Sequence, residues 1–242
     1  MRVLRYVAFT AVMVLGLTII TMDKAHAYSY NAWVGLTGDK TIAINPFMYG
    51  NISPGSFGAS FENVFEFGIN KDTDFFISTG ALNIAGGVFV PSWGMIRFGL
   101  GDPNQVIALK ATTGFGDTNS GTGTFGPQYH GVFNFGDTFT LEANLWWDLS
   151  YKSLGDMTIT AIVAPVVKFD KDASVAVFLE IDPVLTLAGG SSSFALNVVP
   201  GLSFLNGTIT VGLTVNNITG SAITLGYGAW VWVPFSFGGS AE

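Results

Sequence analysis

Residues 138–150 alternate. Phe139, Leu141, Ala143, Leu145, Trp147 and Leu149 hold the odd positions and are apolar. Thr138, Thr140, Glu142, Asn144, Asp148 and Ser150 hold even positions, with Trp146 the one exception. Side chains of a β-strand point to opposite faces with period two, so the segment predicts a strand with one oily and one wet face. The pattern recurs along the chain. Phe57, Ala59, Phe61, Phe65, Phe67 and Ile69 oppose Ser60, Glu62 and Glu66. Ile107, Leu109, Ala111 and Phe115 oppose Lys110 and Thr112; Phe125, Tyr129, Phe133 and Phe135 oppose Gln128, His130 and Asn134. Ala173, Val175, Val177, Leu179 and Ile181 oppose Ser174, Glu180 and Asp182, and Ile209, Val211, Leu213 and Val215 oppose Thr208, Thr210, Thr214 and Asn216. The last such face is Ile223, Leu225, Tyr227, Ala229, Val231, Val233 and Phe235.

Soluble β-sandwiches also alternate. Three features point to lipid instead. The segments run about ten to thirteen residues, beyond the usual soluble strand and matched to a tilted membrane strand. Short polar joins (70–74, 101–104, 136–137, 170–172, 205–207) alternate with mostly longer ones (116–124, 151–156, 188–193, 216–221), the asymmetry of periplasmic turns and external loops. Aromatic rings gather beside the short joins: Phe67, Phe75, Phe98, Phe135, Phe139, Phe169, Phe204, Phe235 and Phe237. The expected fold is all-β, a closed antiparallel transmembrane barrel of about twelve strands (roughly ten to fourteen) over residues 41–237, because hydrocarbon leaves no water to satisfy a free sheet edge. Residues 28–40 are expected to be a periplasmic lead or an extra strand, and 238–242 a short tail. Pro165 and Pro200 fall inside expected strands, so each predicts a bulge or a shifted register.

The amino terminus has a different pattern. Arg2 and Arg5 precede an apolar run over residues 7–20, and Ala25-His26-Ala27 follows, which predicts a signal peptide over 1–27 cleaved before Tyr28. The run is shorter than a membrane-spanning helix.

Composition narrows the partners. The chain is 49% hydrophobic and only 11% charged, with no cysteine and a net charge of -7. Disulfides, thiolate metal sites and thiol nucleophiles are therefore excluded. An acidic chain lacks the basic surface that nucleic-acid binding needs.

The carboxy-terminal segment Tyr227-Gly-Ala-Trp-Val-Trp-Val-Pro-Phe-Ser-Phe237 resembles the insertion signal of Gram-negative outer-membrane β-barrels, a final aromatic preceded by apolar residues at every second position. Phe237, Phe235, Val233, Val231, Ala229 and Tyr227 carry the match, and the tail 238–242 departs from it. The resemblance implies residence in outer-membrane lipid and recognition of the last strand by the barrel-assembly machinery.

The inward phase carries Glu62, Glu66, Glu142, Asp148, Glu180 and Asp182 against Lys110 and Lys168, with His130 also inward. As pore-lining residues their negative excess favours cations over anions. As wall residues they would instead pair with Lys110, Lys168 and Arg97. Outer-membrane phospholipases, similar in size, place histidine and serine two positions apart on one strand; here Gln128 and Val132 flank His130, so that motif is missing. One histidine does not make a zinc site. The glycine-rich segment 114–126 has no lysine at phosphate-loop spacing and reads as an external loop. No cofactor and no enzymatic activity are expected. The expected function is a porin-like channel for small solutes. The alternatives are a non-conducting structural or interaction barrel, or a transporter of hydrophobic compounds along inward Trp146, Phe178, Trp230 and Trp232.

Overall fold

The computed structural model describes residues 28–29, 36–54, 56–83, 87–88, 90–102, 104–115, 123–151, 153 and 155–236. The expected leader, Phe237 and the tail lie outside these residues.

Twelve long strands follow one another: β1 (Thr41–Ser53), β2 (Ser60–Asn70), β3 (Thr73–Asn83), β4 (Val90–Gly99), β5 (Gln105–Phe115) and β6 (Thr124–Phe135). Then come β7 (Phe139–Ser150), β8 (Met157–Lys168), β9 (Val175–Ala188), β10 (Ser191–Phe204), β11 (Ile209–Asn216) and β12 (Thr224–Val231, continuing as Val233–Ser236 after a break at Trp232). Each is antiparallel to its neighbours in sequence. The last returns to the first, with Phe47 opposite Trp230 and Thr41 opposite Ser236. The sheet is a closed antiparallel 12-strand β-barrel. The break in β12 is covered: the Trp232 N–H donates to the Thr208 carbonyl at 2.8 Å, across the β10–β11 turn.

The alternation places side chains as the pattern requires. On β9, Ala176, Phe178, Glu180 and Asp182 are buried inside, while Leu179 between them is exposed on the outer wall. Leu109 (59% exposed), Leu213 (50%) and Leu225 (45%) stand on the same outer surface of other strands. Water does not tolerate a continuous apolar belt of this kind on a monomeric soluble protein, whereas acyl chains match it. Phe67 stacks beside Phe75 (centroids 6.5 Å apart) and Phe135 lies near Phe139 (5.7 Å), both at the short-turn end. These rings form part of the aromatic girdle expected at one membrane interface.

Two expectations need correction. Residues 188–193 form no long loop: β9 and β10 run on to Ala188 and Ser191, joined by Gly189-Gly190 alone. Both glycines have positive φ (57° and 78°), the requirement of a two-residue type I′ hairpin whose twist matches the strands. Nor do the prolines shift the register. Pro165 continues its ladder with β7, opposite Leu141. On the β8–β9 side, pairing lapses between Val163↔Ile181 and Val166↔Phe178 and then resumes in the same register. Pro200 likewise pairs with Leu179 of β9, and the β10–β11 ladder lapses between Val198↔Val215 and Gly201↔Gly212. Each bare nitrogen falls on the interrupted seam, so the neighbouring strand loses a rung but the barrel keeps its alignment.

Candidate functional site: the barrel lumen

Glu62, Glu66, Lys110, His130, Glu142, Asp148, Lys168, Glu180 and Asp182 all fall on the inward phase of their strands. Glu66, His130, Glu142, Glu180 and Asp182 are almost completely withdrawn from water. For Glu66 and Glu142 the reason is that other parts of the chain sit on the carboxylates.

Glu66 on β2 accepts from Asn45 Nδ2 (2.6 Å), Thr37 Oγ1 (3.0 Å) and Trp232 Nε1 (3.3 Å). Glu62, on the same face of β2, accepts from Trp93 Nε1 (3.0 Å) and from the Ser78 hydroxyl. Glu142 on β7 accepts the backbone N–H groups of Tyr28 (2.7 Å) and Ser29 (2.9 Å) and the Ser29 hydroxyl. Neutral donors thus hold these three carboxylates. The expected pairing of Arg97 is redirected: its guanidinium grips Asp74, with Nε to Oδ1 at 2.8 Å and Nη2 to Oδ2 at 2.6 Å, both side chains fully buried. Asp74 also accepts from the Thr37 N–H at 2.8 Å, and the guanidinium lies 4.2 Å from the Phe76 ring centre. Asp74 was hidden because residues 70–74 read as one turn. The alternation Asp74, Phe76, Ser78 against Phe75, Ile77 carries the signal of an inward face.

Lys110 holds its ammonium between two indoles, 5.1 Å from the ring centres of both Trp93 and Trp146. His130 is bonded to Gln128 (3.2 Å) and tilted against Trp146, with no serine at the expected spacing. Among the described residues no group of histidine, aspartate and glutamate could hold a metal ion.

Apolar side chains form three further buried clusters inside the barrel. Trp230 and Trp232 of β12 and Ala43 of β1 form a buried cluster against which Phe47 and Val132 pack. Val132 is on β6, half the strand sequence away around the wall, so contact with this cluster spans the lumen. A second cluster joins Val64, Phe76, Met95 and Ala108, and a third joins Tyr28, Val166, Ala173, Ala176, Phe178 and Val199. At the long-loop end a polar cavity of about 390 Å³ opens, lined by residues that include Tyr49, Asn51, Ser60, Asp182, Asn197 and Thr214. The described interior therefore holds buried polar and apolar clusters, with a polar vestibule at the opposite end from the short turns.

Tyr28, Ser29 and Thr37 contribute to this filling, and the described residues of 28–40 form no strand. Tyr28 donates its hydroxyl to Asn206 Oδ1 at 2.6 Å. Burial, and then the Glu142 carboxylate, push its phenol up to about 12.

A closed, girdled barrel with an apolar outer wall is the fold of outer-membrane β-barrel proteins. The chain is similar to solved outer-membrane structures. An outer membrane channel from Pseudomonas putida F1 superposes with a TM-score of 0.50 over 89% of this chain and 100% of its own, at 8% identity. OmpT of Vibrio cholerae (trimer form) matches over 81% of this chain and 100% of its own with a TM-score of 0.35 at 9% identity. OprB of Pseudomonas putida matches over 82% and 93%, with a TM-score of 0.31 at 9% identity. No protein-family profile and no curated protein sequence matches the chain.

Proposed function

We propose that the protein is exported with its leader removed, resides in the outer membrane of a Gram-negative bacterium, and passes small solutes through a lumen held narrow by its own side chains. The observation that carries this reading is the concentration of ionisable groups inside the barrel: Glu66, Asp74, Arg97, Glu142, Glu180 and Asp182 are buried there. A wall that only needed filling would be filled at less cost by apolar side chains, because desolvating charge is expensive. Ionisable groups inside membrane proteins mark polar paths. The structural neighbour described as an outer membrane channel is consistent with this.

Solute entry begins in the vestibule, where Asp182 is the one carboxylate among otherwise uncharged described lining residues, a lining that favours positive or neutral solutes. The contact between Val132 and the Trp230–Trp232 cluster favours a second reading, a barrel closed at rest that serves as a structural or docking element.

Planar-bilayer recording of the purified protein separates the two. The channel reading predicts discrete, salt-dependent steps that grow in Trp230→Ala, with a reversal potential in a salt gradient that favours the cation. Silence from both proteins overturns the channel reading, and a reversal potential favouring the anion overturns the selectivity.

A further inference from the structure

We propose that leader removal completes the barrel interior: the ammonium group freed at Tyr28 seats on the buried carboxylate of Glu142 as an internal ion pair. The inference rests on the export reading above and goes beyond it. The sequence and the structure reach the same residue independently. The Ala25-His26-Ala27 pattern makes Tyr28 the first residue of the processed chain. In the structure it is the Tyr28 backbone nitrogen that lies 2.7 Å from Glu142 Oε1.

The surroundings are built for a chain terminus. Tyr28 is 4% exposed, Ser29 and Glu142 0%. The Ser29 N–H and hydroxyl take the other carboxylate oxygen, the Tyr28 carbonyl accepts from Thr210 Oγ1 at 3.4 Å, and the Tyr28 hydroxyl reaches Asn206. Before cleavage the Tyr28 nitrogen is a neutral amide with one hydrogen. During cleavage water adds across the Ala27–Tyr28 peptide bond. Ala27 departs as a carboxylate, and Tyr28 keeps the nitrogen as an ammonium with three donors and a full charge. Glu142 lies within electrostatic reach of buried Glu180, which opposes its charge, and of Lys168, whose ammonium sits 5.1 Å over the Tyr28 ring. A cation at 2.7 Å adds a full countercharge in direct contact with the carboxylate, which a buried charge favours over neutral donors alone.

The test uses the processed protein purified from outer membranes. Intact mass is expected to start the chain at Tyr28. The α-amine is then labelled with an amine-reactive ester. In the folded barrel it should react about tenfold or more slowly than in the heat-unfolded chain, the factor that one charge-assisted hydrogen bond supplies. Glu142→Gln should narrow that gap. Acetylating the Tyr28 amine before refolding should lower the unfolding midpoint of the wild type but not of Glu142→Gln, a difference that burial alone would not produce. A different first residue overturns the cleavage reading. A Tyr28 start with equal labelling of folded and unfolded chains overturns the ion pair and leaves export standing. Equal labelling of the folded and unfolded wild type overturns the ion pair even where Glu142→Gln does not fold.

Discussion

Replacing Asp74 with asparagine isolates the cost of a charge buried in the lumen. The amide introduced by Asp74→Asn keeps an acceptor of nearly the same shape for Thr37 but removes the carboxylate charge that the Arg97 guanidinium, 0% exposed, grips. In the wild type Arg97 reaches the carboxylate through two bonds of 2.8 and 2.6 Å. Removing one partner of a buried pair costs about 3–5 kcal/mol, against about 0–1 kcal/mol for a pair in water. Because Arg97 also lies 4.2 Å from the Phe76 ring, part of its environment survives, and the lower half of that range is expected. The paired replacement Asp74→Leu with Arg97→Met removes both charges at similar volume and should fall within about 1 kcal/mol of the wild type. Urea titration of the barrel refolded in lipid vesicles, with each single replacement beside the pair, gives the four corners of the cycle. A cost below about 1 kcal/mol for Asp74→Asn would show that water reaches the pair and would refute its burial.

Other consequences are equally direct. Val163→Arg, at the outward middle of β8, should cost about 2–4 kcal/mol in the same vesicle titration, because the charge would stand at mid-membrane depth. Gly190→Val should cost about 1–2 kcal/mol and slow refolding, since its φ of 78° forces a β-branched side chain into the left-handed region. Truncation of Trp230, which packs with Ala43 and Trp232 where Val132 meets the same cluster, should enlarge single-channel steps without altering the strand content seen by circular dichroism.

Much of the barrel was legible from period two alone. Glu142, Glu180 and Asp182 turned inward because Leu141, Leu179 and Ile181 had to turn outward, a local rule that needs no tertiary knowledge. The β9–β10 turn was misread because serines at 191–193 resemble loop residues, yet they continue the ladder opposite Ala188, Leu187 and Thr186. What stands in front of an inward side chain depends on contacts far along the chain. The bond from Tyr28 to Glu142 joins residues 114 apart, and Trp232 to Glu66 joins residues 166 apart, separations that no local pattern encodes. The lumen therefore read as a wet wall, whereas Glu66, Glu142 and Asp74 are saturated by Thr37, Asn45, Ser29, Tyr28 and Arg97. The redirection of Arg97 to Asp74 is the same effect on neighbouring strands: Asp74 and Arg97 stand opposite each other on β3 and β4.

Leu109, Leu179 and Leu213, exposed on the outer wall, face acyl chains. The sequence has no cysteine, so a single Cys at each position takes one spin label cleanly. In vesicles, collision with oxygen, which concentrates in hydrocarbon, should dominate at all three sites, and collision with a water-soluble nickel chelate should be nearly absent. Strong collision with the chelate at these sites, with little from oxygen, would contradict the account.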